Sequence, residues 1–158
     1  MSGALAPGQP ALLIRDQPLA FSQEMLSFAG YAALFNRRDA GGDTIRAGAF
    51  ARTLHDRQSG RLGPLPLYWQ HRADLRIGWV DTIAEDQRGL RVVATLDNPQ
   101  GGAAVALGNG AVTGLSIGYR TRRFIGDNKG RELLDLDLFE ISLVTHPMQH
   151  AARVHLVA

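Results

Sequence analysis

The stretch Thr113-Gly114-Leu115-Ser116-Ile117-Gly118-Tyr119 sets a serine between two glycines inside an alternating apolar run. As a strand it points Leu115, Ile117 and Tyr119 to one side and leaves Gly114, Ser116 and Gly118 on the other. Ser116 then stands on a face stripped of neighbouring side chains, which suits a nucleophile that must meet a bulky acyl group. A Gly-x-Ser-x-Gly pattern also arises by chance in a chain with 18 glycines. A catalytic role therefore requires a base and an orienting acid elsewhere.

Outward from this strand, the cluster Gly126-Asp127-Asn128-Lys129-Gly130 turns the chain back into a second strand over 131–144. Before it, Asn98 as cap and Pro99 in the first turn open a helix that carries Ala103 to Leu107 and stops at Gly108-Asn109-Gly110. Runs 77–84 and 90–96 flank turn residues as a hairpin. Phe50, Thr53 and Leu54 give 47–56 the spacing of a short amphipathic helix. Residues 24–36 read as a long strand broken or bent at Gly30, and 151–157 adds a final short strand. Residues 1–20, interrupted by Gly and Pro, read as a loosely ordered arm, leaving 21–158 as one domain. The order predicts an α+β fold: a mostly antiparallel sheet or small β-barrel with a few helices.

Composition narrows the function. Apolar residues make up 45% and charged residues 20% of 158, ordinary for a soluble globular domain. The net charge of +2 reflects an arginine surplus without a basic tail, so nucleic acid is not an expected partner. The chain has no cysteine, which removes disulfides, thiolate metal sites and a cysteine nucleophile together. No run reaches bilayer length and the first twenty residues hold no signal-peptide core, so no membrane partner is expected and the cytoplasm is the expected compartment.

Among five histidines, His71 ends the apolar run Leu65-Pro66-Leu67-Tyr68-Trp69-Gln70 just before polar Arg72 and Asp74. A histidine there is either a well-held base facing a cleft or a strand cap bonded to backbone. His55 reads as solvated surface. His146 and His150 have helical metal-ligand spacing, but Pro147 lies between them with no third ligand, so neither a metal nor a cofactor is expected. For the acid, an unbroken strand puts Glu140 on the apolar face of Leu134, Leu136 and Leu138, where a buried carboxylate needs a partner such as an imidazole. The other course is a register change at Phe139, Ile141 and Leu143 that leaves Glu140 at an edge beside an arginine.

Seven short motifs in order resemble the prohead maturation protease family: Gly30-Tyr31-Ala32 with Phe35-Asn36; Ile45-Arg46-Ala47-Gly48-Ala49-Phe50; Leu67-Tyr68-Trp69-Gln70-His71; Ile77-Gly78; Gly89-Leu90; Gly114-Leu115-Ser116-Ile117-Gly118-Tyr119; and Glu140-Ile141-Ser142-Leu143-Val144-Thr145-His146-Pro147. These are serine proteases of tailed phages and related particles that trim capsid and scaffold proteins during head assembly. The resemblance implies a herpesvirus-protease-like fold, a small β-barrel surrounded by helices, and carries Ser116 over as nucleophile, His71 as base and Glu140 as third member. It further implies capsid and scaffold proteins as substrates, action within the assembling prohead of a phage or domesticated particle, and, by fold analogy, a homodimer. Arg120 and Arg122 are candidates to help hold the oxyanion, and Tyr68, Trp69 and Trp79 to line substrate pockets. The chain departs from the family at Pro147-Met148-Gln149, where Pro-Ala-Asn is usual, and its length leads us to expect a separate scaffold or none in place of a fused scaffold segment. Two alternatives remain. One is an α/β-hydrolase-like esterase using Ser116, Asp137 and His146, disfavoured by the short chain left after Ser116. The other is an inactive capsid-associated structural module.

Overall fold

The computed structural model describes residues 25–158, so the expected arm at 1–20 lies outside the described residues. In chain order the elements are β1 (Ser27–Leu34), β2 (Asp43–Ile45), α1 (Ala51–Gln58), β3 (Pro66–Trp69), β4 (Arg72–Glu85), β5 (Gly89–Leu96), α2 (Gly102–Gly108), β6 (Gly114–Asp127), β7 (Gly130–Val144) and β8 (Val154–Val157).

β7 is the spine. One edge pairs with β6 from the Asp127–Gly130 turn up to Gly114 and Val144. Its other edge pairs in parallel first with β2, through Arg131 to Leu133, and then with β3, through Ile141 to Leu143. From β3 the sheet runs on through β4, β5, β1 and β8, each pair antiparallel. Among the described residues the fold is thus strand-rich with two helices and mostly antiparallel, and the two parallel ladders are short, non-local additions to the expected pattern. The sheet is not a continuously closed ladder. Between β6 and the approach to β8 there is one isolated bridge, Gly114 to Arg153, flanked by hydrogen bonds from Leu115 N–H to Ala152 O and from Val154 N–H to Thr113 O.

Phe28, Leu67, Leu90, Leu115, Leu136, Leu138, Ile141 and Leu143 are fully buried in one core, each contributing about 1.5–3 kcal/mol of transfer free energy. Phe50 and Leu54 close it from the α1 side. The same helix is tied to β7 by polar contacts. Thr53 Oγ1 accepts the N–H of Leu138 at 3.2 Å, and Arg52 pairs with Asp135 at 3.1 Å and Asp137 at 2.6 Å.

Three local expectations change. β1 is a single strand through Gly30 and not broken there, but its pairing shifts register beside it, between Ala29 and Gly30 against β8 and between Tyr31 and Ala33 against β5; the missing side chain lets the neighbouring chain approach, since a Cβ would lie 2.5 Å from the carbonyl oxygen of Arg153. The second helix begins at Gly102, not at Asn98; the Asn98 side chain instead accepts the N–H of Gln100 in a turn that precedes it. At Phe139 the strand is bulged. Gly118 pairs with Glu140 but Tyr119 with Leu138, so Glu140 faces away from Leu136 and Leu138 and joins the side of Ser116 and Gly118.

Asp137 predicts a pH effect. Burial alone would raise its carboxyl, but hydrogen bonds from Arg52, Arg120 and Arg122 outweigh that and hold it at about 2. A lowered acid contributes stability above its unfolded value near 3.8 and loses it as pH falls through the folded value. Solvent around the arginines reduces the contribution to about 1 kcal/mol. Asp137→Asn should therefore lower the melting temperature at pH 6 and have a shrinking effect from pH 4 to pH 2, as thermal melts would show.

Candidate active site

The chain reaches His71 through a two-residue loop. Trp69 of β3 pairs with Arg72 of β4, leaving Gln70 and His71 at the tip with φ of 52° and 60°. Positive φ at both central positions is the pattern of a type I′ hairpin turn, whose twist matches the flanking strands. For side chains other than glycine it costs about 1–2 kcal/mol per residue. Local bonds hold the turn in place: Gln70 N–H reaches Leu143 O at 2.9 Å, and the Gln70 amide donates to Thr145 Oγ1 at 2.7 Å while accepting the Thr145 N–H at 3.1 Å. Strain held by its surroundings is common at functional sites.

The strained tip delivers the imidazole to β7. His71 Nδ1 is 2.6 Å from Glu140 Oε1, and the Glu140 side chain is 10% exposed. The other carboxylate oxygen, Oε2, accepts the hydroxyl of Ser142 at 2.7 Å. The hydrogen bond to Glu140 raises the His71 imidazole above its ordinary 6.5, against desolvation, which pulls it down. With Nδ1 engaged by the carboxylate, the free ring nitrogen is Nε2.

Ser116 lies across the ladder from Ser142, and Gly118 from Glu140, so all four share one face of the hairpin. Ser116 is 8% exposed. It lines, together with His71, a cavity of about 100 Å³ walled by Ala32, Ile45, Ile117, Tyr119 and Met148. The Ser116 hydroxyl is not hydrogen-bonded to His71 among the described residues; nucleophile–base contacts often close only when substrate is bound. The arrangement offers a hydroxyl and an imidazole on one cavity, with a carboxylate behind the imidazole.

The chain and its fold have known relatives. A family model described as caudovirus prohead serine protease matches residues 14–158. The chain belongs to the caudovirus prohead serine protease family. Within this family's reach, it is 32% identical over 134 residues to the prohead protease of Enterobacteria phage HK97, covering 80% of this chain and 58% of that protein. It is 30% identical over 102 residues to a capsid polyprotein of Pseudomonas phage PAJU2, covering 58% of this chain and 15% of the polyprotein. The chain thus spans little more than half of the first relative and a small part of the second. Among solved structures, the varicella-zoster virus protease aligns at TM-score 0.53 with 17% identity, covering 84% of this chain and 64% of that one. A KSHV protease bound to a hexapeptide phosphonate inhibitor aligns at 0.54 with 13% identity, covering 85% and 65%. At such identities the likeness is one of fold.

The residues of the esterase alternative are not brought together with Ser116. Asp137 is held by Arg52, Arg120 and Arg122, and His146 is exposed and absent from the cavity wall. Arg120 and Arg122 are thereby committed to Asp137. Nor do Tyr68, Trp69 and Trp79 line the cavity; Trp79 is capped by the Arg76 guanidinium at 4.4 Å, and the aromatic wall is Tyr119. Ser142, Gln70 and Thr145 escaped sequence reasoning as parts of the site. The only signal they gave was position: Gln70 stands immediately before His71, and Ser142 and Thr145 lie two and five residues past Glu140.

Proposed function

We propose that the chain is a serine endopeptidase that cleaves capsid and scaffold proteins inside the assembling head of a phage or phage-like particle, with Ser116 as nucleophile, His71 as base and Glu140 as its orienting acid. The observation that carries the proposal is the 2.6 Å bond from His71 to Glu140 at the edge of the cavity that holds Ser116. As the Ser116 oxygen bonds to the peptide carbonyl carbon, its proton passes to His71 Nε2, and Glu140 stabilises the imidazolium. His71 then gives that proton to the leaving amine as the C–N bond breaks. Water, deprotonated by the same nitrogen, then bonds to the acyl carbon, the ester bond to Ser116 Oγ breaks, and that oxygen takes the proton back from Nε2.

Family membership and the capsid polyprotein of phage PAJU2 support capsid protein as substrate. A scaffold substrate and a homodimer rest on family and fold likeness alone. We also place the seam of a small β-barrel at the Gly114–Arg153 bridge, where β6 meets the chain entering β8. Among the described residues no helix is long and apolar enough to cross a membrane.

The test is labelling with a fluorophosphonate and mapping of the adduct. The expected adduct is on Ser116; one on Ser142 or another serine would overturn the assignment. The pH profile adds a second check. A base must be neutral to act, so labelling should rise with pH through an apparent pKa above 6.5, as the raised His71 value requires.

A further inference from the structure

We propose that Ser142 is a positioning residue of this site: its buried hydroxyl ties the main chain of His71 and the second oxygen of Glu140 to one point, and so sets where the imidazole stands relative to Ser116. The inference rests on the reading of Ser116, His71 and Glu140 given above. Ser142 is fully buried at the centre of the sheet, paired with Ser116 on one side and with Tyr68 on the other. A hydroxyl there loses its water and is costly unless its hydrogen bonds are replaced. Here they are: Oγ accepts the His71 N–H at 3.1 Å and donates to Glu140 Oε2 at 2.7 Å.

Both bonds act where the regular ladder gives out or shifts register. His71 sits at the tip of a turn with positive φ, and its N–H goes to a side chain instead of a neighbouring strand. Glu140 follows the bulge at Phe139, beside the register shift that turned it to this face. Ser142 is itself held by backbone ladders on both edges of β7. A rigid residue thus fixes two irregular ones, and the distance between imidazole and carboxylate follows from it. Alanine at this position would leave the His71 N–H without its partner and free Glu140 to rotate.

The experiment compares wild type with Ser142→Ala, Ser142→Val and Ser142→Thr. Valine and threonine have nearly the same shape and differ in the hydroxyl, so the pair separates hydrogen bonding from packing. Two quantities are measured: the proton NMR signal of the His71 Nδ1–H facing Glu140, and the fluorophosphonate reaction at Ser116 resolved into binding and chemical steps. The expected result is loss of the NMR signal to solvent exchange in the alanine and valine variants. Their chemical step should fall by about 10–100-fold, as for a misplaced base, with binding unchanged. Threonine should restore the signal and most of the rate. A wild-type signal and rate in both the alanine and valine variants would overturn the proposal. The NMR measurement needs no activity, so it decides the role of Ser142 even if wild type does not label, an outcome that would remove the protease reading on its own.

Discussion

Glu140→Gln should lower acylation of Ser116 by about a thousandfold or more, the scale seen when a base is left in the wrong tautomer. The size follows from the hydrogen-bond arithmetic at Ser142. Its hydroxyl already accepts the His71 N–H and donates its own proton to Glu140 Oε2. If the new amide turned its NH₂ toward Ser142, that serine proton would lose its acceptor in a buried place, at a cost of about 1–3 kcal/mol. The amide therefore keeps its oxygen toward Ser142 and points NH₂ at His71 Nδ1. Nδ1 must then accept, the ring proton moves to Nε2, and the nitrogen that should take the Ser116 proton is occupied. The same substitution removes the carboxylate that raises His71, so the residual activity should titrate at a lower pH than wild type. The measurement is a fluorophosphonate labelling rate across pH 5 to 9. A near-wild-type rate would mean that Glu140 does not orient the base.

Most of the elements around this candidate site were legible in the chain, for reasons that separate local from non-local information. The Ser116 strand, the return strand, the α1 spacing of Phe50 and Leu54 and the hairpin of β4 and β5 all follow from periodicity and turn residues. The register change at Phe139 was one of two courses the pattern offered, an unbroken strand with Glu140 among the leucines being the other; what alternation could not supply was the partner on the new face, His71 in place of an arginine. The actual side of Glu140 depends on pairing with Gly118, far away in sequence. The turn at His71 was hidden for a related reason. Gln-His carries none of the Asn-Gly chemistry that announces a type I′ loop, and the conformation is held by Leu143 and Ser142 of β7 and by Thr145 just past its end. The parallel ladders of β2 and β3 against β7 are three residues each and leave no periodic mark. At Asn98 a local rule competed with another local rule: the cap signal was real, but the Asn98 side chain capped a turn, and Gly101-Gly102 delayed the helix.

Gly118→Ala should abolish most activity while sparing the fold, by about a hundredfold or more in the labelling rate. An alanine Cβ at this position would lie 2.5 Å from Glu140 Oε1, 2.7 Å from Cγ and 2.8 Å from Cδ. All three atoms belong to one side chain and none to backbone, so the carboxylate moves and the strand does not. Restoring ordinary contact takes a shift of about 1 Å, enough to break the 2.6 Å bond to His71. The contrast with Gly78 makes the point. There a Cβ would meet the carbonyl oxygen of Thr95 at 2.0 Å, a backbone atom in the β4–β5 ladder, and the penalty would fall on the sheet itself. Thermal melts should therefore show a large loss for Gly78→Ala and a shift of only a few degrees for Gly118→Ala. A double-mutant cycle sharpens the test. If the glycine acts only by leaving room for the carboxylate, Gly118→Ala added to Glu140→Gln should cost little more than Glu140→Gln alone. Full additivity would mean that Gly118 serves Ser116 by some other route, such as room for the substrate backbone.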